Sequence, residues 1–173
     1  MDRKEIHSIL EAAVEKGREA IPNGEVASYI PELSKANKDH IGLSISTIDG
    51  RRFNIGDTDI RFTIQSISKI ISLAIALEHL GFEKVFSKVG MEPSGEAFNS
   101  LVELDLNSNK PFNPMINSGA LTVSSLLLPE FTFEQMMEYS HKVCLDPEIG
   151  MNDAVFQSEM SHISRNRAIA YLL

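Results

Sequence analysis

Fifteen residues near the middle of the chain, Ser66 to Leu80, read Ser-Ile-Ser-Lys-Ile-Ile-Ser-Leu-Ala-Ile-Ala-Leu-Glu-His-Leu. A helix that is apolar on nearly every side has to be buried, so any fold for this chain wraps other elements around this one. Gly81 stands where such a helix is terminated. The run falls short of about 18 consecutive apolar residues, so it predicts a core helix and not a membrane span. Inside it sits one cation, Lys69, with few routes to water.

Other segments supply the wrapping. From Arg3 to Ala20, Ile6, Ile9, Leu10, Ala13 and Val14 recur at helical spacing, and Pro22-Asn23-Gly24 stops the pattern. Pro31 biases Ile30 toward extended geometry, which places Tyr29 in a connection. Leu43 and Ile45 alternate with small residues, and after Asp49-Gly50 the pair Phe53 and Ile55 alternates with Arg52 and Asn54. This predicts a hairpin in which Asp-Gly supplies the positive φ angles of a tight turn. Further helices are predicted from Asn117 or Ser118 to before Pro129, from Thr132 with Gln135 as a capping box, from Asp153 to Met160, and from Arg165 to Leu173. Loops are expected around Pro93-Ser94-Gly95 and Asn107 to Pro111. A mixed α+β chain results. Two strands alone are marginal, so the hairpin wants further strands or a covering helix, for which 3–20 and 66–80 are the candidates.

Composition narrows the class. Hydrophobic residues make up 43% and charged residues 23%, the balance of a folded soluble domain. One cysteine, Cys144, gives no internal disulfide, and a reducing, cytoplasmic setting is expected. Its apolar neighbours suggest an inert core thiol. Sixteen basic against 24 acidic residues leave a net charge of -8, which argues against nucleic acid as a partner. The charged N-terminus lacks the apolar region of a signal peptide. Five histidines show no ligand spacing, so no metal site is expected.

The most specific local pattern is Gln65-Ser66-Ile67-Ser68-Lys69. Serine and lysine three apart at a helix start share a face one turn apart, so an amine can approach a hydroxyl. Burial and the helix dipole both disfavour the ammonium, which is what a general base requires. The Ser66 N–H is an oxyanion donor at the same helix start. Ser-x-x-Lys also arises by chance. Asn113-Pro114-Met115-Ile116-Asn117 puts amides at a helix start, where an N-cap is the simpler role. Glu159 reads equally as a solvated carboxylate, and Arg165-Asn166-Arg167 as a surface patch or a carboxylate clamp.

Taken in order, Ala27 to Leu33, Ile55-Gly56-Asp57-Thr58, Gln65 to Lys69, Glu92-Pro93-Ser94-Gly95, Asn113 to Ala120, Ser158-Glu159 and Arg165-Asn166-Arg167 resemble the serine-dependent glutaminase family. The resemblance implies a β-lactamase-like serine hydrolase fold, with a helical subdomain and a β-hairpin belonging to an incomplete antiparallel sheet. It implies one domain over 1–173, with residues 1–65 in the α/β region and 66–173 mainly helical. Members are longer, and the part following the equivalent of Leu173 supplies more sheet, two pocket tyrosines and a second oxyanion N–H, so the chain is expected to be truncated at its C-terminus. By resemblance Ser66 is the nucleophile and Lys69 its base. Tyr29 lines the pocket, and Gln65, Ser66, Asn117, Glu159 and Asn166 bind L-glutamine. No cofactor is implied, and the expected assembly is a homo-oligomer, dimer or tetramer. A penicillin-recognising Ser-Lys acyltransferase or hydrolase, and an inactive binding or assembly fragment, are the alternatives. Glu159 with Asn166 suits a zwitterionic amino acid better than a peptide mimic, and no Lys-Thr-Gly segment is present.

Overall fold

The computed structural model describes residues 2–95, 97–100 and 109–173. Part of the loop expected at 107–111 lies outside them. The residues gather into two compact units, Met1–Thr63 with Ala154–Glu159, and Ile64–Asp153 with Met160–Leu173.

The first unit begins with helix α1 (Arg3–Ala20), whose N-cap Asp2 accepts the Glu5 N–H at 2.8 Å. Its stripe buries Leu10 and Val14 against the hairpin of β1 (Gly42–Ser46) and β2 (Arg52–Gly56). The strands are antiparallel with Leu43 opposite Ile55 and Ile45 opposite Phe53, as the alternation predicts. Phe53 is the buried anchor, and the Arg3 guanidinium stands 5.6 Å from its ring centroid. The turn differs from the two-residue form expected. Gly50 donates to the Thr47 carbonyl at 2.9 Å and Thr47 N–H to the Arg51 carbonyl at 2.9 Å, which makes a three-residue loop. Gly50 (φ 82) takes the left-handed conformation there, whereas Asp49 does not. Asp49 instead accepts from Thr47 Oγ1 and from Arg51 Nε.

Polar stitching completes this unit. Asp57, just past β2, accepts the Ile41 N–H at 2.9 Å and Arg18 at 3.2 Å, and Arg18 also donates to the Asp39 carbonyl. The Ile41 bond, then Arg18, holds the Asp57 carboxyl below its ordinary value. Tyr29 lies in the connection before the short turn of helix Pro31–Lys35, with Ile30 buried beside it in sequence.

The second unit is helical: α2 (Ser68–Leu80), α3 (Phe82–Lys88), α4 (Asn117–Leu127), α5 (Phe133–Cys144) and α7 (Ser164–Leu172). Helix α6 (Asp153–Met160) lies for most of its length in the first unit. α2 packs against α3, α4 and α5, and α4 against α7. Ile75, Ala76, Val85, Val89, Val123 and Leu127 form the core. The α5 capping box is made as predicted, with Thr132 N–H bonded to Gln135 Oε1 at 2.8 Å.

Three further expectations change. The first half of α2 is not enclosed by the described residues, for Ile70 is 60% exposed while full burial is confined to Ile75 and Ala76. Cys144 ends α5 on an exposed face, not in the core. Helix α3 was not expected; at seven residues it is too short to carry a readable period, and Gly81 (φ 82, ψ 160) both ends α2 and starts α3.

Candidate active site

Ser66 sits in a short turn of 3-10 helix, Gln65–Ile67, that feeds directly into α2. Gln65 adopts φ 44, a left-handed conformation that a non-glycine residue takes only when its surroundings enforce it. Ile67 N–H bonds to the Ile64 carbonyl at 2.9 Å, and the Ser68 hydroxyl donates to the Gln65 carbonyl at 2.7 Å. These bonds hold Ser66 at the mouth of the helix, with an exposed side chain.

One turn on, half-buried Lys69 donates to the Met115 carbonyl at 2.9 Å and to Asn117 Oδ1 at 2.7 Å, and stands 5.6 Å from the Phe98 ring centroid. Burial pushes its amine below the ordinary lysine value, since the charged form loses hydration. A neutral amine has two N–H donors and one lone pair. Two acceptors on the donors leave the lone pair to face elsewhere.

Asn117 opens α4 but does not cap it. The N-cap is Ile116, without a side-chain bond, and the Asn117 amide bridges instead: Oδ1 takes the lysine proton and Nδ2 donates to Asn166 Oδ1 at 3.0 Å. With Lys69 as donor at the oxygen end and Asn166 Oδ1 as acceptor at the nitrogen end, both ends of the amide are matched in polarity. The Asn117 N–H adds a bond to the Phe98 carbonyl at 2.8 Å. Side chains from the starts of α2, α4 and α7 are thus joined in one chain, Lys69 to Asn117 to Asn166. The capping turn belongs to Asn113, whose Oδ1 accepts the N–H groups of Met115 (2.9 Å) and Ile116 (3.2 Å). Gly119 permits this packing, because a Cβ there would stand 1.8 Å from the Asn113 carbonyl oxygen.

The second unit therefore gathers Gln65, Ser66, Lys69, Asn117 and Asn166. Tyr29 and Glu159 belong to the first unit, where Tyr29 is 67% exposed and Glu159 is half-buried on α6. Beside Glu159, the Ser158 hydroxyl accepts the Glu32 N–H at 3.2 Å. Among the described residues no three His, Cys, Asp or Glu side chains stand close enough to hold a metal ion, and no helix is long and apolar enough to cross a membrane. The Met115 carbonyl and the Phe98 ring escaped the sequence analysis. A backbone acceptor leaves no mark on residue type, though the Asn113-Pro114 turn is a hint of it.

Residues 24–173 match the family model described as Glutaminase. The chain is 49% identical over 172 residues to a glutaminase of Clostridium tetani and 46% identical over 170 residues to glutaminase 2 of Clostridium perfringens, covering 97% and 96% of itself but 56% of each relative. It spans about half the length of the curated relatives it matches. Among solved structures, a probable glutaminase, YbaS, superposes with a TM-score of 0.89 at 33% identity, over all of this chain and 56% of that one. A probable glutaminase from Bacillus subtilis complexed with 6-diazo-5-oxo-L-norleucine gives 0.79 at 34% identity, over 99% of this chain and 52% of that one.

Proposed function

The chain belongs to the glutaminase family, and on that premise we propose that it carries the acylating centre of an enzyme that hydrolyses L-glutamine to L-glutamate and ammonia. Its fold is the mixed, β-lactamase-like one of those relatives. The observation that carries the proposal is the bonded chain Lys69–Asn117–Asn166, with Lys69 one helical turn after Ser66, since it supplies a base, its orientation and an amide clamp from the starts of three helices.

In this mechanism the Ser66 hydroxyl attacks the side-chain amide carbon of glutamine and passes its proton to the neutral Lys69 amine. The Ser66 N–H donates to the oxyanion. The lysine ammonium then protonates the leaving nitrogen, ammonia departs, and water cleaves the glutamyl ester to free glutamate and regenerate the serine. The leaving group needs a proton and the oxyanion needs donors, so side chains and backbone suffice for the reaction. Glu159 is the countercharge for the substrate ammonium. Asn117 and Asn166 bond the amino-acid end, Gln65 positions the nucleophile, and Tyr29 lines the pocket. The same proposal places the enzyme in the cytoplasm as a homo-oligomer, which gel filtration and fractionation test.

Ammonia release from glutamine, paired with mass spectrometry after 6-diazo-5-oxo-L-norleucine treatment, tests the reading. The expected result is one adduct on Ser66, with both signals lost in Ser66→Ala. Acylation of Ser66 by a chromogenic β-lactam without ammonia release from glutamine overturns it in favour of a penicillin-recognising enzyme. Calorimetric binding of glutamine that depends on Glu159, without turnover, overturns it in favour of a binding module.

A further inference from the structure

The carbonyl that holds Lys69 belongs to a peptide unit whose other end is also held. The Met115–Ile116 peptide is planar, so its C=O and its N–H point in opposite directions along one rigid plate. Lys69 Nζ takes the C=O at 2.9 Å, and Asn113 Oδ1 takes the Ile116 N–H at 3.2 Å. Asn113 is itself fixed from behind. Its Nδ2 donates to the Glu92 carbonyl at 2.9 Å, which continues a pairing of two extended segments made by Gly90 N–H to the Pro111 carbonyl (2.7 Å) and Glu92 N–H to the Phe112 carbonyl (2.9 Å).

We propose that Asn113 is a positioning residue for the reaction: by gripping the Ile116 N–H it aims the Met115 carbonyl at Lys69 and holds the amine in register with Ser66. The proposal rests on the glutaminase reading for its catalytic meaning. Geometry supports it from a second side. Gly119 in α4 has no room for a Cβ beside the Asn113 carbonyl, so the turn approaches the helix backbone more closely than any other residue at 119 would allow. Hydrogen bonds that share one peptide also polarise each other: an acceptor on the N–H makes the C=O a stronger acceptor. Among the described residues the Lys69 amine is lowered by burial, and the groups it donates to are the Met115 carbonyl and Asn117 Oδ1.

Two substitutions separate aiming from mere support. Asn113→Ala removes the grip, weakens the carbonyl that favours the ammonium, and is expected to lower the Lys69 titration by about half a pH unit or more. Asn113→Asp keeps an acceptor for both N–H groups, gives up the bond to the Glu92 carbonyl and places a negative charge one peptide away, so the titration is expected to rise instead. Both are read by NMR of the 15N-lysine-labelled chain without substrate, with circular dichroism to confirm the helices. In turnover, Asn113→Ala is expected to lose about 10- to 100-fold in kcat at nearly unchanged KM, the result of a misplaced base.

Opposite shifts of the two variants support the assignment. Titrations that stay with the parent chain, or that move in the same direction, overturn it. If Asn113→Ala does not fold, Asn113→Asp alone decides, and an unmoved Lys69 overturns the proposal. The lysine titration needs no glutamine, so absence of turnover in the parent chain counts against the glutaminase reading and leaves this test intact.

Discussion

The two units are held together by different physics. In the first, α1 covers a two-stranded hairpin with few buried side chains, Leu10, Val14 and Phe53 among them, and the join is completed by Asp57, Arg18 and the Ile41 N–H. In the second, Ile75, Ala76, Val85, Val89, Val123 and Leu127 make a continuous core, and the polar side chains gather at helix starts. The polar groups of the first unit hold its shape; those of the second sit above a core that is already secure. A site can be tuned where packing has been settled beneath it.

The largest consequence falls on turnover. Lys69→Arg replaces the base with a group that does not deprotonate, so glutamine turnover is expected to fall by about 100- to 10,000-fold, with the melting of α1 and the hairpin untouched. In the parent chain, kcat/KM is expected to climb with pH along a limb whose midpoint lies below the ordinary lysine value of 10.5, because burial disfavours the ammonium. Lys69→Arg abolishes that limb. The same shift has a stability side: between the lowered folded value and the unfolded one the unfolded chain binds more protons, so the penalty this group places on folding at lower pH is relieved as pH rises through that window.

Core truncation comes next. Leu127→Ala is expected to cost about 2 to 5 kcal/mol, the range for a fully enclosed leucine. Leu10→Ala, at the edge of a thinner interface, is expected to cost less, as measured by denaturation with site-resolved hydrogen exchange. Equal losses would break the contrast between the units.

Smaller effects follow in the first unit. Gly50→Ala puts a Cβ on a left-handed residue with open space around it, so the cost is backbone strain alone, about 1 kcal/mol by exchange in the hairpin. Acid is the gentlest probe. The Asp57 carboxyl is held below its ordinary 3.8 by the Ile41 N–H and Arg18. Its contribution is therefore complete above that pH and is lost as pH falls below 3.8 through the folded value. Exchange in α1 and the hairpin should accelerate there before exchange in α2 and α4. Asp57→Asn keeps an oxygen for the Ile41 N–H without the charge, and should remove that acid step.

Where a periodic pattern was long, the structure followed it. The α1 stripe, the β1–β2 register and the Thr132–Gln135 box all follow from spacing that local geometry enforces. What was not legible depended on atoms that residue type does not display. The hairpin loop took three residues because Thr47 bonds across to Arg51 by backbone, and α3 was too short to show a period. Asn117 looked like a cap and proved a bridge, since Asn113 had taken over the turn. Cys144 sat between apolar neighbours in sequence, yet ends its helix facing solvent. For Ser66 the short motif placed the helix start, but the left-handed Gln65 beside it is visible only in the backbone.

The amide bridge between Asn117 and Asn166 also bears on how such a sequence drifts. Asn117 spends its oxygen on Lys69 and its nitrogen on Asn166, so each end of that amide has a partner of opposite polarity. A substitution at 117 that keeps an acceptor but loses the donor strands the Asn166 oxygen, and one at 166 that presents a donor meets a donor. The two positions are therefore expected to change together or not at all across descendants, and a library that randomises them jointly should recover pairs seldom reached by single steps.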